Sequence, residues 1–315
     1  MLALLSYGEV LIDFLPLNTQ PISYAPLAGG APANVAVAYS KLGGDSYFAG
    51  GLSSDHFGQV LLNELQSNGV NTSNSAIIDN TNTAIVLVNL DSDGERSFNF
   101  YRNNTADTLY NQSHIASIDW SNIGIFHLCS NTMTTGDMHE STMLTLSNAK
   151  ENNVLVSFDV NLRHQLWPDL SLLPKRIEAG IKYSDIVKMS RDEALYLAKQ
   201  NNLELDEYLQ VILSFDVKVI VITDGAEAVQ VLTQNFTTTV AVPNITAVDT
   251  TGAGDSFIAG FLFYLAEHLK QGESIIQAIA DKSYIINAIH FASKCGAYTC
   301  QTKGAFAAMP LFEQL

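Results

Sequence analysis

The chain has 315 residues, 47% of them hydrophobic, and a formal net charge of −16. That length holds one large α/β domain, or one domain with a small appendage, and the apolar share suffices for a substantial core. The negative balance argues against nonspecific nucleic-acid binding and against docking on an anionic membrane, so any phosphate site must gather its few cations locally.

Three cysteines, Cys129, Cys295 and Cys300, form no C-x-x-C pair and no closed disulfide set. Such sparse thiols suit a reducing, cytoplasmic setting. No apolar run approaches the ~20 residues needed to span a membrane. The first stretch, Met1 to Leu15, has no basic leader and is interrupted by Glu9 and Asp13, so it reads as a strand and not as a signal peptide.

Taken in order, Leu2 to Ile12 is predicted as one buried strand that delivers Asp13 at its C-terminal end, where open α/β sheets bind ligands. Residues 14–27 carry Pro16, Pro21 and Pro26 around a short β-like Ile22-Ser23-Tyr24, and read as a lid or an edge strand. Gly29-Gly30-Ala31-Pro32-Ala33-Asn34 then leads into a helix, with Pro32 in its first turn. Ser46 to Ser53 reads as a second strand and His56 to Asn68 as a helix closed by Gly69. Ala84 to Leu90 and Arg96 to Arg102 are β-like runs joined by Asp91-Ser92-Asp93-Gly94-Glu95, a hairpin signature. Such a hairpin inside a β–α alternation suggests a separate small sheet that joins residues 14–27.

From Ile123 onward strands and helices alternate steadily, which predicts a parallel sheet covered on both faces. The strand Val154 to Phe158 runs into Asp159-Val160-Asn161-Leu162-Arg163, Ile186 to Met189 carries Lys188, and Val217 to Ile222 opens into Thr223-Asp224-Gly225. Two helical stretches, Ser256 to Leu269 and Ser274 to Ser293, end the pattern.

Before the first of these helices stands Asp249-Thr250-Thr251-Gly252-Ala253-Gly254-Asp255. A helix start offers free N–H groups and a positive dipole end, which suit phosphate oxygens, and Gly252 and Gly254 let those groups turn inward. No G-x-x-x-x-G-K-[ST] loop occurs; a carboxylate, Asp255, sits where a Walker loop has its lysine. A cradle for anions beside a carboxylate suggests phosphate transfer to a hydroxyl, with Asp255 taking the proton. The plainer reading is a helix cap, since Asp, Thr and Gly are common there. Asp13, Asn34, Asp159, Arg163, Lys188, Thr223, Gly225 and Asp255 all fall at strand ends or helix starts and are expected to line one crevice.

The Gly29–Asn34 and Asp249–Asp255 motifs, in that order, resemble the two signatures of the ribokinase-like (PfkB-type) carbohydrate kinases, and the resemblance covers essentially the whole chain. Phe100-Tyr101-Arg102 and the stretch Asp159 to Pro168 look most like fructokinases. The resemblance implies a Rossmann-like three-layer α/β/α ribokinase-like fold. Residues 1–13, 28–83 and 103–315 would form the large domain, and 14–27 and 84–102 a small β lid. It implies a kinase that moves the γ-phosphate of ATP to a sugar hydroxyl, with Asp255 as base and Gly252, Ala253 and Gly254 as the anion hole. Asp13, Gly29, Gly30, Asn34, Arg102, Asp159 and Arg163 would contact the sugar; Lys188, Thr223, Gly225 and Asn287 would contact the nucleotide. Glu193 would order water on Mg²⁺, and the backbone around Asp249 and Thr251, with the segment near Gly304, would hold K⁺. Two positions depart from the family pattern: Ser190 opens the run that reaches Glu193, where Asn is usual, and the further glycine usual near Ala228, beyond Gly225, is missing. The partner is then a small sugar, most simply fructose, with ribose, aminoimidazole riboside and 2-keto-3-deoxygluconate as other acceptors and a non-catalytic sugar sensor as another class. No nucleic-acid or membrane partner is expected, and a homodimer through the lid is an open reading. A dinucleotide-dependent oxidoreductase is disfavoured, because no G-x-G-x-x-G follows the first strand.

Overall fold

The first apolar run divides at Gly8 into two strands that belong to different sheets. Gly8 has φ of +147°, and a β-carbon there would lie 2.6 Å from Pro32 Cγ, so a side chain would neither fit nor tolerate the backbone. The structure, a computed structural model, describes residues 2–19, 22–90, 96–270 and 274–315.

In chain order the first elements are β1 (Ala3–Tyr7), β2 (Leu11–Thr19), β3 (Ile22–Gly29), α1 (Ala31–Lys41), β4 (Ser46–Ala49), β5 (Gly51–Ser53), α2 (His56–Ser67) and β6 (Ala76–Ile78). There follow β7 (Ile85–Leu90), β8 (Arg96–Tyr101), the one-turn α3 (Gln112–Ile115), β9 (Ile123–Cys129), α4 (Gly136–Glu151), β10 (Leu155–Asp159), α5 (Leu173–Tyr183) and β11 (Ile186–Ser190). The remainder is α6 (Arg191–Gln200), α7 (Leu205–Ser214), β12 (Val219–Thr223), β13 (Val229–Leu232), β14 (Thr237–Val240), α8 (Ala253–Glu267), α9 (Ile275–Ala278) and α10 (Lys282–Thr299).

Eight strands form the main sheet in the order β14-β13-β12-β11-β10-β9-β1-β4, parallel except that β13 runs antiparallel to both its neighbours, β12 and β14. Its central strands are apolar on both faces, as a doubly covered sheet requires. On β12, Val219 and Val221 enter one core with α1, α8 and α10, while Ile220 and Ile222 enter the other with α4, α5, α6 and α7. Burying each such side chain contributes about 1.5–3 kcal/mol, which holds the three layers together.

A second sheet, β3-β2-β7-β8, stands beside the first. Its cavity-side apolar group is Leu11, Ala84, Val86 and Val88, with Leu15 and Phe100 packed on. β7 and β8 pair antiparallel from Ile85↔Tyr101 to Leu90↔Arg96; the turn read at residues 91–95 lies outside the described residues. Asp13 therefore sits within the small sheet, opposite Val86 and Leu27, and not at the end of a main-sheet strand.

Two further runs break where one element was expected. Ser46 to Ser53 splits at Gly50, where a β-carbon would lie 2.3 Å from the Gly8 carbonyl oxygen, and its second half pairs with β6. Ser274 to Ser293 splits because Asp281 caps a new helix, its carboxylate accepting the Ser283 N–H at 2.8 Å; α10 then runs past Ser293 to Thr299.

Candidate active site

The glycine-rich stretch runs directly into the first turn of α8. Gly252 is the N-cap with φ of +74°, a left-handed conformation that favours glycine. Ala253 N–H donates to the Thr250 carbonyl at 3.2 Å, so this member of the expected anion hole is engaged within its own turn. A β-carbon on Gly254 would lie 3.0 Å from Lys188 Nζ, so the bare backbone lets the ammonium approach. Asp255 is 7% exposed, and its Oδ2 accepts a 2.7 Å hydrogen bond from Asn34 Nδ2 in the first turn of α1. Burial raises the Asp255 carboxyl above its ordinary range, while Asn34, Lys188 and Arg163 pull it back. The group is thus a better proton acceptor than an exposed aspartate.

This helix start opens on a cavity of about 550 Å³ whose walls include Asp13, Asn34, Arg163, Lys188, Gly252 and Asp255. The small sheet supplies Leu11, Val86, Phe98 and Phe100 to the same walls. Gly30, also on the wall, has φ of +107°, and a β-carbon there would lie 2.6 Å from the Glu9 carbonyl oxygen. Gly29 does not line the cavity; its missing side chain makes room for Asp13, whose Oδ2 would stand 2.2 Å from a β-carbon. Sequence reasoning missed Glu9, Asn131 and Asn161, which also face the cavity. Glu9 was visible only as a charge interrupting an apolar run; Asn131 follows β9 in a single helical turn without a motif, and Asn161 lies within the Asp159-to-Pro168 stretch but was given no role there.

Three other expected contacts are corrected. Arg102 lies behind the cavity wall: its Nε pairs with Asp107 and its Nη1 donates to the Asn131 carbonyl at 3.3 Å, with the side chain 7% exposed. Asp159 is fully buried one layer back and accepts a 2.7 Å bond from Lys188 Nζ, so it orients the lysine and does not reach the cavity. Asn287 is exposed on α10, six residues and about 9 Å before Ser293 and rotated about 120° from it, so its side chain misses both cavities.

A second cavity, of about 430 Å³, lies on the other side of Gly254. Thr223, Gly225, Ala253, Ser293 and Gly296 line it, with an apolar rim from Val229, Val242 and Phe257. Thr223, Thr250 and Gly254 belong to both cavities. Glu193 borders the first cavity, but its carboxylate also closes a capping box, accepting Ser190 N–H at 2.8 Å and Leu162 N–H at 2.7 Å. Asp249 is buried and binds Thr251 N–H at 2.8 Å and Gly304 N–H at 3.1 Å, which ties those two segments together.

Asp13 carries a cost in the empty cavity. Burial pushes its carboxyl up to about 7, helped by the charges of Asp255, Asp249 and Glu9 and opposed by Arg163. The folded chain then holds a proton that the unfolded chain has released above about 4, so the stabilisation is complete at low pH and is lost as pH rises through 7. With no ligand present, Tm of the parent chain is expected to fall between pH 5 and pH 8 by roughly 3 °C more than that of Asp13→Asn. Parallel melting profiles would remove the shift.

Residues 1–311 match the pfkB family of carbohydrate kinases. The probable fructokinase-5 of Arabidopsis thaliana is 38% identical over 313 residues, spanning 98% of this chain and 94% of that protein. A fructokinase from Xylella fastidiosa solved with bound ATP superposes with a TM-score of 0.94 at 36% identity, covering 99% of this chain and 96% of that one. A fructokinase from Vibrio cholerae O395, solved with fructose, ADP and calcium ion, superposes at 0.87 with 32% identity, covering 98% and 96%.

Proposed function

The chain belongs to the pfkB family of carbohydrate kinases and has its ribokinase-like α/β fold, and we propose that it moves the γ-phosphate of ATP to O6 of fructose. The observation that carries this is the position of Asp255, on the helix that supplies the anion cradle and on the wall of a cavity rich in oxygen acceptors. The acceptor cavity suits a polyol. Asp13 offers a carboxylate, and the buried Asn34 Oδ1 has no hydrogen-bond partner among the described residues.

In the reaction, Asp255 receives the proton of the sugar hydroxyl as its oxygen bonds to the γ-phosphorus. The bond from that phosphorus to the β-phosphate oxygen breaks, and ADP leaves with the electron pair. The N–H groups at the start of α8 and the Lys188 ammonium hold the charge that spreads over the transferring group. Asp159 keeps that ammonium aimed at Gly254.

Among the described residues no group of three or more His, Cys, Asp or Glu could hold a metal ion. Mg²⁺ would therefore take its ligands mostly from ATP phosphates and water, lowering the phosphate charge, with Glu193 still able to bind one such water through its remaining lone pairs. K⁺ would sit on backbone carbonyls where Asp249 binds Thr251 and Gly304 together. In the same reading the small sheet is a lid over the sugar, and two copies pair through it, covering Leu17, Ile22 and Tyr101, which are 63%, 73% and 60% exposed. No helix among the described residues is long and apolar enough to cross a membrane, and the three cysteines are free, which fits work in the cytoplasm.

A coupled ATP-consumption assay over fructose, ribose, mannose, a nucleoside and 2-keto-3-deoxygluconate tests the assignment. Fructose is expected to give kcat/KM about tenfold or more above the others. Another sugar in first place would replace fructose as the acceptor, and silence with every sugar would leave a sensor.

A further inference from the structure

We propose that Glu9 is a further sugar-binding residue, whose Oε2 bonds a fructose hydroxyl other than the one that is phosphorylated. Glu9 stands in the link between β1 of the main sheet and β2 of the small one. It is 3% exposed and faces the acceptor cavity. Its Oε1 accepts a 2.9 Å bond from Asn131 Nδ2, while Oε2 is buried with no partner among the described residues. Asn131 lines the same cavity, and its own Oδ1 is likewise unmatched.

A buried carboxylate oxygen without a donor costs free energy that a purely structural residue would not need to carry. What fills the cavity can supply that donor, since Asn131 already fixes the other oxygen and Arg102 is held by Asp107 and the Asn131 carbonyl. Burial raises the Glu9 carboxyl above its ordinary range, and Arg102, held by Asp107, pulls against that rise from behind. Arg102 thus positions Glu9 from outside the cavity, which accounts for an arginine that the sequence places near the sugar and the structure does not. Oε2 has hydrogen-bonding capacity in either protonation state, so a sugar hydroxyl satisfies it by donating or accepting.

The inference rests on the sugar-kinase reading, and the experiment separates the two. The parent chain is first assayed over the sugar panel, and the Glu9 effect is then read on whichever sugar it uses best, with singly deoxygenated analogues of that sugar. Glu9→Met removes both oxygens at similar volume. It is expected to lower kcat/KM for the sugar about 10- to 100-fold through KM, with KM for ATP unchanged. For one deoxy analogue, the one lacking the bonded hydroxyl, parent and variant should have equal kcat/KM; the other analogues keep the full ratio. Asn131→Ala, which frees Oε1 but leaves the Asn131 carbonyl on Arg102, should show a smaller loss that vanishes on the same analogue, and it carries the test if Glu9→Met does not fold. A loss that is equal across every analogue, or no loss at all, would make Glu9 a structural residue and overturn the proposal.

Discussion

Replacing Asp255 by asparagine is expected to lower kcat about 10²- to 10⁴-fold while KM for ATP and fructose stays within about threefold. The amide keeps the shape of the carboxylate, and its oxygen can still accept the Asn34 Nδ2 hydrogen bond that orients residue 255. What it loses is the capacity to bind a proton when the sugar oxygen attacks. Burial makes this capacity larger than an exposed aspartate would have, because the charged form is poorly solvated until the proton arrives. Steady-state kinetics on the two proteins, with calorimetry for ATP, checks both halves. A variant that kept kcat within about tenfold would show that the proton leaves by another route, such as a phosphate oxygen.

Asp13→Ala should act on the other substrate. Its carboxylate lies in the acceptor cavity, and two hydroxyl hydrogen bonds to a charged group are worth roughly 100-fold or more in sugar affinity when lost together. KM for ATP is expected to change by less than about twofold, since Asp13 does not border the second cavity. The same change removes a partly buried carboxyl whose pKa is pushed up to about 7, so the sugar-free variant should melt higher than the parent chain above neutral pH. Loss of binding together with gain of stability is the signature of a residue held in place for a ligand. Equal losses for sugar and ATP would point instead to general damage at the junction of the two sheets.

The sequence was most informative where chemistry and backbone geometry share the same few residues. The motif before α8 was legible as backbone: Gly252 takes the left-handed N-cap position and Asp255 is buried in the first turn of the helix that follows. The alternating core was equally legible, since Val219 to Ile222 are apolar for two faces at once. The first strand was misread for a related reason: Leu2 to Ile12 is apolar throughout, and only the packing of Pro32 against Gly8 shows where it must break. Charged residues were the least legible. Arg102 and Asp159 look like ligand contacts until their partners, Asp107 and Lys188, are seen to occupy them. Glu9 had the opposite fate, passing as an interruption until its unmatched oxygen and the cavity came together in space. Asn287 failed on helix phase, which a motif at one end of the chain cannot supply for a helix at the other.

The two cavities border each other at Thr223, Thr250 and Gly254. The small sheet forms part of the wall of one, and Pro243 and Asn244 part of the wall of the other. In the proposed reading, sugar and nucleotide each keep to one chamber, and the phosphoryl group alone changes hands at this three-residue border.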